Sequence, residues 1–154
     1  MSDVQARNRE VLDAVRVRRD SFYDALLELE QALCTPAGDD VAGWTAAARV
    51  PVAHLREVLD AHVSGTEGDE GLFAEVRDHA PHLIPAVDRL RSEHAPLIAA
   101  TEALAARLDD LQSDAEVEGV RDEGIELIGR LLAHRHRGAE LVYDAYSIDI
   151  STGD

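Results

Sequence analysis

The stretch Leu83-Ile-Pro-Ala-Val87-Asp-Arg-Leu90-Arg-Ser-Glu93-His94-Ala-Pro-Leu97-Ile98-Ala-Ala-Thr101-Glu-Ala-Leu104-Ala-Ala-Arg-Leu108 carries its apolar residues at three-, four- and seven-residue steps. That is the period of one helix face. Pro81 and Pro85 stand at its entry, where a missing N–H costs a helix nothing. Pro96 lies inside it and predicts a bend near His94. His94 is the one imidazole in the stripe, with Val87 and Leu90 before it and Leu97 and Ile98 after it on the same face.

The same period recurs on both sides of this segment. Upstream, Leu12, Val15, Phe22, Leu26, Leu29 and Leu33 predict a helix over Val4–Cys34, stopped by Thr35-Pro36-Ala37-Gly38. Arg19 occupies the gap in that stripe between Val15 and Phe22. Asp39 or Asp40 can cap a second helix bearing Trp44, Ala48, Leu55, Leu59 and His62 on one side. Pro51 predicts a kink or a broken first turn there. Gly65, Gly68 and Gly71 predict its end near Val63, and Leu72, Phe73 and Val76 allow a short helical turn over Gly71–Asp78. Downstream, Val120, Ile125, Ile128, Leu131, Leu132, Leu141 and Val142 predict a last helix from Ser113 or Asp114 to about Tyr146. Four helices joined by short connections favour antiparallel neighbours. The expected architecture is all-α, an up-down-up-down antiparallel four-helix bundle, with residues 1–154 forming a single domain.

Composition agrees with helix. Ala, Leu, Glu and Arg outnumber Val and Ile, and hydrophobic residues reach 45%, enough for a buried core in 154 residues. The net charge of −16 opposes binding to nucleic-acid phosphates or anionic lipid. All of the basic residues are Arg. Cys34 is alone, so neither an intrachain disulfide nor a Cys-based zinc framework is available. Uncharged stretches fall far short of the ~20 residues of a membrane span. Met1–Glu10 is polar, unlike a signal peptide. The expected location is cytoplasmic.

The chemistry lies in the histidines. His62 follows Leu55 and Leu59 on its face, and His134 follows Leu127 and Leu131 and precedes Leu141. Three inward imidazoles on three helices can converge at one depth of a bundle, and bundle cores build metal sites this way. A ligand pair on one helix needs His and Glu three or four residues apart. Four residues after His62 stands Thr66, with Glu67 one further; four after His134 stands Gly138. Glu140 lies six after His134, about 120° around the helix, but four after His136. The His136–Glu140 pair is therefore the one clean His-x-x-x-Glu spacing, on a face with Leu132 and Tyr143. His54 and Glu57 have i+3 spacing but sit among Arg56 and Asp60, which reads as a solvated face. His79 and His82 read as surface residues at a helix entry.

The segment Leu90-Arg-Ser-Glu93-His94-Ala-Pro-Leu97, with His62 before it and His134 after it, resembles the hemerythrin-like, His-His-Glu cation-binding family. Thr66-Glu-Gly-Asp-Glu-Gly-Leu-Phe73 and Leu131-Leu-Ala-His-Arg-His-Arg-Gly-Ala-Glu-Leu-Val-Tyr-Asp-Ala-Tyr146 extend the resemblance, which covers roughly Leu12 to Tyr146. It implies a four-helix bundle that holds non-haem iron through His and carboxylates and meets dioxygen, nitric oxide or peroxide. The chain departs from that pattern at four places. Arg19 stands where a first-helix ligand His belongs, with Asp20 beside it. Thr66 and Gly138 stand where bridging carboxylates belong, and Leu90 replaces a further His.

The expected metal set is then His62, His94 and His134, with Glu67 and Glu140 as carboxylates. The expected cofactor is iron, mononuclear or dinuclear, with zinc as the other metal this ligation suits. The expected partners are a metal ion and a small diatomic ligand or peroxide, with neither nucleic acid nor membrane. A metal-free scaffold stands as the alternative, since an inward Arg19 disfavours a metal pair and would instead pair with Glu67 or Glu140. Peroxide chemistry at a di-iron centre requires bridging carboxylates that these spacings do not supply.

Overall fold

A computed structural model describes residues 3–151, with backbone alone at 18–20 and 148–151. Asp3–Cys34 form α1, Val41–Glu67 α2, Leu72–His79 the short α3, Ile84–Asp109 α4 and Asp114–Ser151 α5, with a 3-10 turn over Pro81–Leu83. The described residues contain helices and no strand. The four long helices are those expected from the periodicity.

Their ends follow local chemistry. Asp40 caps α2 by accepting a hydrogen bond from the Gly43 N–H at 2.9 Å. Gly38 makes the preceding turn at φ +57°, a conformation that favours glycine. Trp44 Nε1–H donates to the Thr35 carbonyl at 2.8 Å, and Arg121 Nε–H donates to the Leu33 carbonyl at 2.6 Å. These two bonds satisfy carbonyls at the end of α1 that no helical N–H can reach.

Several boundaries differ from the sequence expectation. The second helix continues past Val63 to Glu67, because Gly65 is tolerated inside it and Gly68 closes it, donating its N–H to the Ser64 carbonyl. A glycine inside a helix costs only about 1 kcal/mol against alanine, which tertiary packing can outweigh. Pro51 is buried within α2, and the helix runs through it unbroken; Pro96 likewise lies inside α4. The last helix extends beyond Tyr146 to Ser151.

Pairs of contacts trace how the long helices pack. Between α1 and α2 they join Thr35 to Trp44, Glu28 to His54 and Phe22 to His62. Between α2 and α4 they join Arg49 to Asp109, Arg56 to Glu102 and Glu67 to His94. Between α4 and α5 they join Arg107 to Glu123 and Glu93 to Arg137. In each case the numbers rise along one helix as they fall along the other. The fourth side pairs α1 with α5, through Leu33 with Arg121 and Tyr23 with Arg135.

Apolar burial divides into two clusters. The larger includes Phe22, Leu29, Leu55, Leu59, Leu97, Leu104 and Leu131 from all four long helices. The smaller includes Phe73, Val76, Val87, Leu90, Leu141 and Tyr146, with α3 as one wall. His94 falls between Leu90 of one cluster and Leu97 of the other, and His134 between Leu131 and Leu141. Arg19 holds the matching register on α1, between Val15 and Phe22, but its side chain lies outside the described residues. Four apolar residues assigned to these stripes from sequence, Leu12, Ile98, Ile125 and Leu132, are instead exposed. They lie at the margins of stripes narrower than the residue spacing alone suggests.

Candidate metal centre

Between the two clusters the imidazoles of His62, His94 and His134 come together from α2, α4 and α5. One ring nitrogen from each lies within 4.8 Å of the others. His94 and His134 are buried, and His62 is half-buried. The Nε2 atoms of His62 and His134 are 3.1 Å apart, a hydrogen-bond distance at which one nitrogen donates to the other. Two nitrogens sharing a metal at about 2.0–2.1 Å each must also lie roughly 3 Å apart. The rings contact one another edge to face, with centroids 4.9–5.2 Å apart. Phe22 packs on His62 and Phe73 stacks on His94, which fixes the ring planes against apolar walls.

Carboxylates and arginines surround this cluster. His94 Nδ1 lies 3.0 Å from Glu67 Oε2, and Arg91 Nε–H donates to Glu67 Oε1 at 2.7 Å. Glu93 Oε2 lies 3.6 Å from His134 Nδ1, and Arg137 grips both oxygens of Glu93 at 2.6–3.1 Å. Among the described residues His94 Nε2 is buried with no hydrogen-bond partner, and His134 Nδ1 likewise has none. A buried imidazole nitrogen without a partner costs about 1–3 kcal/mol. The hydrogen bond to His94 holds the Glu67 carboxyl below its usual range, against the opposing effect of burial. Burial pushes the His134 imidazole down, and the closeness of His94 adds to the effect. The neutral ring is the form that binds a metal.

The sequence-predicted carboxylates fare differently. Glu67 is brought to the cluster through His94. Glu140 stays on the surface, 62% exposed, at 3.2 Å from His136, which is 75% exposed. The helix geometry that pairs these two also turns Glu140 away from His134. His54 pairs across helices with Glu28 at 2.7 Å. His79 stacks on Tyr146 at 5.3 Å, while remaining exposed, as is His82.

Thr66 and Gly138, each four residues after a clustered histidine, line a cavity of about 50 Å³ beside His62 and His134. That exceeds the ~10–15 Å³ needed for one water. Its other walls include Phe22, Phe73, Leu90 and Leu141. The Thr66 hydroxyl donates back to its own helix, with the His62 carbonyl at 2.9 Å and the Val63 carbonyl at 3.2 Å. A Cβ built on Gly138 would meet no atom of the described residues within 4 Å, so among them this side of the cavity is open.

The turn after Glu67 is set by Gly71. A Cβ there would come within 2.9–3.0 Å of the carbonyl oxygens of Gly65, Thr66 and Gly68. Only glycine lets the chain fold back this tightly onto the end of α2 and leave Glu67 against α4.

Sequence reasoning missed Glu93, because it neighbours His94 in sequence and so lies about 100° away on the helix. Arg91 and Arg137 did carry a signal. They lie three residues from His94 and His134, at spacing that puts them on the same side of their helices. No family model, curated protein or solved structure matches this chain.

Proposed function

We propose that this chain is a hemerythrin-like bundle, up-down-up-down and cytoplasmic, that binds one transition-metal ion through His62, His94 and His134. The observation that carries this reading is the convergence of three imidazoles between two apolar clusters, with His94 Nε2 buried and unpartnered. A metal would engage that unpaired nitrogen and replace the His62–His134 hydrogen bond with ligation. The alternating direction of the helix contacts supports the bundle topology, and no described helix is long and apolar enough to cross a membrane. Nitrogen ligation of this kind suits iron or zinc, and we favour iron on the family resemblance. Three protein ligands leave coordination positions open. The adjacent cavity has room there for a small diatomic molecule or peroxide. Thr66 and Gly138 supply no bridging carboxylate, which favours a mononuclear centre over a dinuclear one.

Purification without a histidine tag, anaerobic loading with Fe(II) or Zn(II), and metal analysis test this directly. Near one metal per chain, accompanied by a rise in thermal stability that His94→Leu abolishes, is the expected result. Substoichiometric metal with unchanged stability would overturn it.

A second reading is favoured by the hydrogen bond between His62 and His134: a metal-free polar layer inside a scaffold or partner-binding bundle. Under it, His94→Leu leaves stability equal or improved and added metal has no effect.

A further inference from the structure

Glu67 and Glu93 stand in mirrored arrangements around the histidine cluster. Arg91, three residues before His94, holds Glu67 Oε1 at 2.7 Å while Glu67 Oε2 faces His94 Nδ1 at 3.0 Å. Arg137, three residues after His134, holds Glu93 through Nε and Nη2 while Glu93 Oε2 faces His134 Nδ1 at 3.6 Å. Each chain of contacts crosses a helix interface and returns. Glu67 ends α2 and is gripped by α4; Glu93 belongs to α4 and is gripped by α5.

The oxygens of these carboxylates are already engaged. Glu67 uses one on a guanidinium and the other on an imidazole. Both oxygens of Glu93 accept from Arg137. Each carboxylate is thus tied to an arginine on the neighbouring helix and turned toward the Nδ1 of a histidine. A carboxylate on Nδ1 of a histidine fixes the tautomer with its proton on Nδ1 and leaves the Nε2 lone pair free to point elsewhere. His94 Nε2 is buried and has no partner among the described residues, while His134 Nε2 faces His62 Nε2 at 3.1 Å.

We infer that Glu67 and Glu93 are positioning residues rather than metal ligands: clamped by Arg91 and Arg137, they hold His94 and His134 with Nδ1 toward the carboxylates and Nε2 toward the cluster. The inference deepens the metal-binding reading and rests on it for its functional meaning, but the ring orientation belongs to the protein itself. The arginines make the device selective. They neutralise the carboxylates, so neither is a free acidic ligand competing for a second ion, and they fix the angle at which each carboxylate meets its ring. The Glu93 arm is the looser of the two, since 3.6 Å is beyond a hydrogen bond. Removing Glu67 therefore disturbs its histidine more than removing Glu93 does.

The test combines ring-nitrogen NMR of ¹⁵N-histidine-labelled protein without metal and competitive titration with Zn(II). In the unsubstituted chain, His94 and His134 should both show a protonated Nδ1. Glu67→Ala should remove that preference at His94 and leave His134 unchanged, and Glu93→Ala should do the reverse. Each substitution should weaken Zn(II) binding by about 10–100-fold. Glu67→Gln should recover much of the loss, because an amide oxygen still accepts from Nδ1–H. Arg137→Met, which keeps Glu93 but frees it, gives a milder variant should the alanine substitutions impair folding. With Co(II) in place of zinc, the energies of the visible bands should survive Glu67→Ala, since no ligand is lost. Altered Co(II) bands with unchanged tautomers would make Glu67 a ligand and overturn the inference. Unchanged tautomers and unchanged affinity in both alanine variants would overturn it as well. The expected tautomers in a chain that takes up no Zn(II) would uphold the orientation and defeat the metal-binding reading alone.

Discussion

His62 and His134 lie 72 residues apart in the chain, and their Nε2 atoms are 3.1 Å apart in the fold. With His94 they form a nitrogen-rich layer between two hydrophobic clusters. Burying His94 and His134 there costs stability in the metal-free protein, and a bound ion would return it.

Metal binding should accordingly raise stability. At a free Fe(II) or Zn(II) concentration a hundredfold above Kd, the gain is about 2.7 kcal/mol. For a chain of this size that corresponds to a Tm rise of roughly 5–10 °C. His94→Leu should eliminate the rise, as measured by scanning calorimetry with and without metal.

Glu140→Ala and His136→Ala should leave metal affinity unchanged, because both side chains are mostly exposed and contact each other. Their pair contributes under ~1 kcal/mol to stability. Weakened Zn(II) binding in Glu140→Ala would place Glu140 at the centre after all, and in His136→Ala it would place His136 there.

Two glycines of α5 should respond in opposite directions to alanine. At Gly138 a Cβ meets none of the described residues within 4 Å, so Gly138→Ala should stabilise by about 0.5–1 kcal/mol through helix propensity. At Gly124 the Cβ would fall 2.4 Å from Leu33 Cδ1, and Leu33 is fully buried. Gly124→Ala should destabilise by about 1–3 kcal/mol through overpacking. Urea unfolding of the two variants decides both.

Alkaline pH should expose Tyr146. Burial, with Glu75 nearby, pushes its phenol up to about 12 from an ordinary value of 10.0. A raised folded-state pKa means the stabilisation is complete below the unfolded value and is lost as pH rises from about 10 to about 12. Unfolding free energy should therefore fall across that window, by on the order of 2 kcal/mol, and Tyr146→Phe should flatten that fall. Denaturant titrations at several alkaline pH values measure it.

The helices were legible from their periodicity alone. The stripe Val87, Leu90, His94, Leu97, Thr101, Leu104 and Leu108 is buried at every position. A three- to four-residue repeat of apolar side chains can bury itself only as one face of a helix. The same local rule singled out His62, His94 and His134, since each occupies a core position on its own helix.

Only the tertiary structure decided what surrounds those histidines. Glu93 reaches His134 from a neighbouring helix, and Arg137 reaches Glu93 across the same interface, at 2.6 Å. Spacing along one helix carries no information about the rotation of the next. Glu140 shows the same point from the other side: its i+4 partner His136 could be read from sequence, but the face they share could not. It was set by how the apolar residues of α5 seat against α1 and α4, which turns Leu131 and His134 inward and leaves Glu140 in solvent.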